Sequence, residues 1–92
     1  MATPVFRLEA YFSGRVQGVG FRYTARQIAQ GYAVTGRVSN LPDGRVHLVA
    51  EGAEAEVRGY LAEVHEHLGH FIKETVPQTL EGPPQYRDFH IG

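Results

Sequence analysis

The chain has 92 residues, a formal net charge of -1 and 42% hydrophobic residues, which is the size and balance of one folded domain. A charge so near zero argues against a general nucleic-acid binder, and the absence of cysteine removes disulfides and thiolate chemistry and fits a reducing compartment. The opening MATPVFRLEA has no apolar core of signal-peptide length and no run approaches a membrane span, so the expected setting is the cytoplasm.

Residues 5–13 alternate, with Phe6, Leu8, Ala10 and Phe12 on one side and Arg7, Glu9, Tyr11 and Ser13 on the other; that is the period of a half-buried strand. After a glycine-rich stretch, Phe21, Ala25, Ile28, Ala29 and Tyr32 recur at helical spacing, and Gly31 stands where the helix would end. Residues 34–40 and 45–50 read as two further strands, joined by Leu41-Pro42-Asp43-Gly44, a turn signal. Glu54 and Glu56 suit the start of a second helix, whose stripe is Val57, Tyr60, Leu61, Val64 and Leu68, with Gly69 as its stop. A fourth strand is expected over 71–76, a connection through Gly82-Pro83-Pro84, and a short edge strand over 86–91. There is no internal repeat, low-complexity segment or linker, so residues 1–92 read as a single domain. The order β-α-β-β-α-β predicts an α+β ferredoxin-like fold (a split β-α-β), with two helices on one face of an antiparallel sheet.

In that topology the first and second strands run the same way with the third between them. The stretch GRVQGVGFR (14–22) leaves the first strand at the end where Asn40 closes the second. Glycines let successive N–H groups point into one concavity, and such nests bind anions. The following helix N-terminus adds partial positive charge, and Arg22 adds a guanidinium fork suited to phosphate or carboxylate. Tyr23 occupies the third glycine position of a dinucleotide fingerprint, and the Gly-Lys-Ser/Thr ending of a P-loop is missing. Nucleotide binding is therefore not expected.

These residues resemble the signatures of the acylphosphatase family. The first signature is met in GRVQGVGFR (14–22) at every defining position, and the second in GRVSNLPDGRV (36–46), with Asn40, Gly44 and Val46 in place. Arg37 stands where the family usually has an aromatic residue, Ser39 where a longer polar one is common, and GHFIKETVPQTLEGPP (69–84) departs from the usual Gly-Pro pair and valine-rich strand. The resemblance implies hydrolysis of small acyl phosphates to a carboxylate and inorganic phosphate, the latter also a competitive ligand. It implies that the backbone N–H groups of Gln17, Gly18, Val19, Gly20, Phe21 and Arg22, with the Arg22 side chain, hold the phosphoryl oxygens. Asn40 then positions the attacking water. No cofactor or metal is implied, and a phosphate oxygen takes the water's proton. A carboxylate leaving group, with a pKa of about 4, needs no general acid.

Other readings of the same residues are blander or different in class. The glycine loop is a plain strand-helix turn, Arg22 a surface cation and Asn40 a turn residue before Pro42 on the structural view. The alternative function is a non-catalytic anion-binding ferredoxin-like module. RNA binding across the sheet lacks a stacking platform, since Tyr11 is the only outward aromatic of the first strand and Arg45, His47 and Val49 line the third. His65, His67 and His70 cluster at the end of the second helix, and His65 and His70 have a zinc-like spacing, but nothing evident completes a site. Acylphosphatase-like domains also occur within larger carbamoyl-phosphate-using proteins; a start at Met1 and an end soon after the last strand favour the expectation of a free-standing enzyme. A monomer is expected, with no nucleic-acid or membrane partner.

Overall fold

The computed structural model describes residues 4–92; the first three residues of the predicted 1–92 unit lie outside them. Its elements run β1 (Val5–Gly14), α1 (Phe21–Ala29), β2 (Val34–Asn40), β3 (Val46–Gly52), α2 (Glu54–Leu68), a 3-10 turn (Gly69–Phe71), β4 (Ile72–Gly82) and β5 (Phe89–Ile91). The strands form one sheet in the order β4-β1-β3-β2-β5. Alternation in β1 buries Leu8, Ala10 and Phe12, which join Val38 of β2 and Val46, Leu48 and Ala50 of β3 in one core. Phe21, Ala25 and Ile28 from α1 and Val57, Tyr60, Val64 and Leu68 from α2 complete it. Both helices therefore cover the same sheet face, as the ferredoxin-like arrangement requires.

The helices are also tied by a polar contact. Tyr60, fully buried in α2, donates its hydroxyl to the Ala25 carbonyl of α1 at 2.9 Å. Burial pushes its ionisation well above the ordinary phenol range, so it stays a neutral donor. Tyr32 lies beyond the end of α1 instead of continuing its stripe, and donates to Glu63 of α2 at 2.7 Å.

The C-terminal third departs from expectation in three respects. β4 continues well past Val76, because Pro77 sits in an edge strand, where a missing N–H breaks no ladder on the solvent side. β5 is confined to Phe89–Ile91 and pairs with β2 in parallel. The sheet is thus mixed where an antiparallel one was expected. The predicted strand start at Tyr86 fails for a specific reason: the backbone N–H groups of Gln85 and Tyr86 both donate to Glu51 Oε1 at 2.7 Å. Those amides are committed to a side chain and leave no ladder to form there.

Glu51 is the acceptor of a buried network on the sheet face away from the helices. It is 1% exposed and Arg7 9% exposed. Arg7 Nε donates to Glu51 Oε2 at 2.9 Å, and Arg7 Nη2 donates to the Pro83 carbonyl at 2.8 Å. The pair thereby clasps the 83–88 connection onto the sheet and sets where β5 begins. Removing one partner of a buried pair leaves the other charge uncompensated, at a cost of about 3–5 kcal/mol. Glu51→Ala is expected to lower the unfolding free energy in urea by about 3 kcal/mol or more, far beyond the effect of Glu54→Ala at the exposed Arg58–Glu54 pair. Equal small losses in the two variants would contradict the role given to the clasp.

Candidate active site

Strand register decides where the site forms. Val46 of β3 lies opposite Phe12 on one side and Asn40 on the other, so the ends of β1 and β2 stand one strand apart at the same end of the sheet. The loop 15–20 leaves β1 at this end. Val16, 0% exposed, pins its middle into the core, while Gly18 and Gly20 adopt φ of 78° and 76°. A Cβ at either glycine would meet no atom within 4 Å; the left-handed backbone, not crowding, is what calls for glycine. Gly20 is also the N-cap of α1, which has no side-chain cap and no acidic residue in its first turn. The N–H groups of that turn have no intrahelical acceptors, and the helix dipole adds positive potential with no acidic side chain in that turn to offset it.

Gly18, Gly20, Phe21, Arg22 and Asn40 line one cavity of about 180 Å³, together with Val16, Tyr23 and Ile91. Of the other residues singled out from the sequence, Gln17 and Val19 do not line it. Val19 packs half-buried against the core. The Gln17 side chain turns instead to the β2–β3 connection, donating through Nε2 to the carbonyls of Leu41 at 2.9 Å and Arg45 at 3.0 Å. That connection is braced from within: Leu41 N–H donates to the Arg45 carbonyl at 2.8 Å, and Arg45 donates to Asp43 from its backbone at 3.1 Å and its Nε at 2.8 Å. The Arg45 amide and then its guanidinium hold the Asp43 carboxyl below its ordinary value. Gln17 therefore ties the glycine loop to the turn that follows Asn40.

Arg22 occupies the first turn of α1 and donates through Nη1 to the Gly92 carbonyl at 3.3 Å. Gly92 follows β5, and its N–H donates to the Val38 carbonyl at 2.8 Å. Arg37 and Ser39 alternate away from Asn40 along β2 and are absent from the cavity wall; the Arg37 guanidinium lies against Gly92. Tyr23, Ile91 and the side-chain role of Gln17 were not read from the sequence. A glutamine beside glycines carries no signal for a tether across 24 positions, and Ile91 reaches the cavity only through the parallel pairing of β5.

The histidine cluster takes up other work. His65 Nε2 meets the Thr75 hydroxyl at 2.9 Å and Nδ1 meets the Leu61 carbonyl at 3.2 Å, so both ring nitrogens are engaged. The His70 ring lies tilted against Phe71, with ring centroids 4.0 Å apart. Among the described residues no group of three or more His, Cys, Asp or Glu is disposed to hold a metal ion, and no helix is long and apolar enough to cross a membrane.

Residues 8–91 match the family model described as Acylphosphatase. The chain belongs to the acylphosphatase family. It is 38% identical over 87 residues to the acylphosphatase of Trichormus variabilis, an alignment covering 95% of this chain and 86% of the relative. It is 51% identical over 57 residues to the acylphosphatase of Archaeoglobus fulgidus, covering 62% of this chain and 64% of that relative's length. The crystal structure of acylphosphatase from Bacillus subtilis superposes with a TM-score of 0.85 at 27% identity, over 95% of this chain and 98% of that one. Fold, family and enzyme class, a hydrolase of the acylphosphatase type, thus agree with the resemblance carried by the two sequence motifs.

The geometry of the loop makes a prediction of its own. Gly20→Ala introduces a Cβ where φ is 76°, which costs about 1–2 kcal/mol through backbone strain alone, since no neighbour is crowded. Urea denaturation is expected to show that loss; a variant as stable as the parent would mean that the loop readily adopts another backbone.

Proposed function

We propose that this chain hydrolyses small acyl phosphates by attack of water on phosphorus, with Arg22 and the loop amides binding the phosphoryl group and Asn40 holding the water. One observation supports the reading above the rest: Arg22, Asn40, Gly18 and Gly20 share a single cavity at an uncapped helix N-terminus. Backbone N–H groups and a guanidinium are donors only, matched to phosphoryl oxygens. They gain strength as negative charge grows on those oxygens during bond breaking, and because they are fixed in advance they need no reorganisation then.

Asn40 is a neutral amide that both donates and accepts. It can orient a water without removing its proton. In the proposed step the water oxygen bonds to phosphorus while the bond from phosphorus to the acyl oxygen breaks, and its electron pair leaves on the carboxylate. The water protons end on the phosphate oxygens, giving dihydrogen phosphate. A leaving group with a pKa of about 4 departs without protonation. Positioning and electrostatics therefore supply the acceleration.

The test is hydrolysis of benzoyl phosphate by the purified protein with excess EDTA present. Arg22→Gln is expected to reduce kcat/KM at least about a hundredfold and to abolish inhibition by inorganic phosphate. Asn40→Ala is expected to reduce kcat about a hundredfold, with the inhibition constant for phosphate changed by less than about twofold. Phosphate binding without turnover in the unmodified protein would favour the anion-binding module. Near-full turnover in Asn40→Ala would remove the water-positioning role.

A further inference from the structure

The acyl half of the substrate has to lie against something, and the cavity wall supplies it. Four large apolar side chains are exposed among the described residues: Tyr23, Val76, Leu80 and Ile91. Val76 and Leu80 belong to the edge strand β4. Tyr23 and Ile91, 60% and 38% exposed, both line the cavity that holds Arg22 and Asn40. Tyr23 stands on the first turn of α1, with its phenol oxygen accepting a hydrogen bond from Gln27 Nε2 one turn later at 2.6 Å. Ile91 is opposite Val38 in the parallel β2–β5 pair, and β5 starts where the Arg7–Glu51 clasp releases the preceding connection. Ligand cavities commonly combine a few placed polar groups with an apolar wall that covers the rest of the ligand.

Charge narrows the class of acyl group. Among the described residues that line the cavity, Arg22 is the only charged one. Once it is engaged by a phosphoryl group, no cation of the wall is left for a second anion. A carboxylate on the acyl side would lose hydration there and gain no partner, whereas an apolar acyl group would gain by leaving water. We propose that Tyr23 and Ile91 form the acyl-group subsite and select acyl phosphates whose acyl group is apolar; this rests on the phosphoryl-binding role proposed above for the same cavity.

Non-hydrolysable phosphonates test the subsite without depending on turnover. Isothermal titration of the full chain is expected to show benzylphosphonate binding about tenfold more tightly than methylphosphonate, and phosphonoacetate no more tightly than methylphosphonate. Tyr23→Ala and Ile91→Ala should each cut the benzyl-over-methyl preference about threefold to fivefold. Tyr23→Phe, which keeps the ring and loses only the contact with Gln27, should retain it. Equal affinities for the benzyl and methyl compounds, tightest binding of phosphonoacetate, a preference unmoved by both alanine variants, or no binding of benzylphosphonate would each overturn the assignment. An intact preference in a protein that fails to hydrolyse benzoyl phosphate would sink the proposed reaction and leave the subsite standing.

Discussion

The position of Val46, opposite Phe12 and Asn40 at once, is the constraint on which the site depends. Side chains alternate along a strand, so a slip of one residue in the β2–β3 pairing would turn Asn40 to the sheet face away from the helices. The register is held by burial: Val38, Val46, Leu48 and Ala50 are each 0% exposed and share the helix-covered core. Core packing thus carries over directly into the chemistry of the sheet end. Gln17 adds a local tie between the loop and the turn beyond Asn40, fixing the distance between the two halves of the cavity where the strands themselves have ended.

The residues that look least chemical set the electrostatics. Gly18 and Gly20 contribute no functional group, yet their positive φ values bend the chain so that it enters α1 with its first-turn amides free of side-chain caps. An N-cap serine or aspartate would occupy one of those amides, and an aspartate would also add a negative charge at the anion's end of the dipole. The missing cap, ordinarily a weakness in a helix, is consistent with an N-terminus kept for an anionic ligand. Phe21 and Val16, buried on either side of the glycines, keep the bend from relaxing.

Much of this was legible in the sequence, and the limits follow from physics. The alternation of residues 5–13 and the helical spacing of Val57, Tyr60, Val64 and Leu68 are local signals, and the elements they predict are present. The two motifs carried the family. What could not be read were contacts that join distant segments through polar side chains. Arg7 has the spacing of an ordinary outward residue of β1, and only the fold reveals that Glu51 and the Pro83 carbonyl enclose it. The same network explains the short β5, because it consumes the Gln85 and Tyr86 amides. The fourth strand expected over 71–76 runs on through Pro77 to Gly82, since edge position matters more than residue identity there. Tyr23 and Ile91 had no motif to mark them, and they share a cavity only once β5 has crossed to the outer side of β2.

The proposed phosphoryl cradle and the water proposed at Asn40 make a claim about which bond breaks. The most direct measurement is hydrolysis of benzoyl phosphate in oxygen-18 water, followed by mass analysis of both products. Attack on phosphorus puts the label in the inorganic phosphate and leaves the benzoate unlabelled. Label in the benzoate would mean that water attacks the carbonyl carbon, and the roles given to Arg22, the loop amides and Asn40 would be wrong.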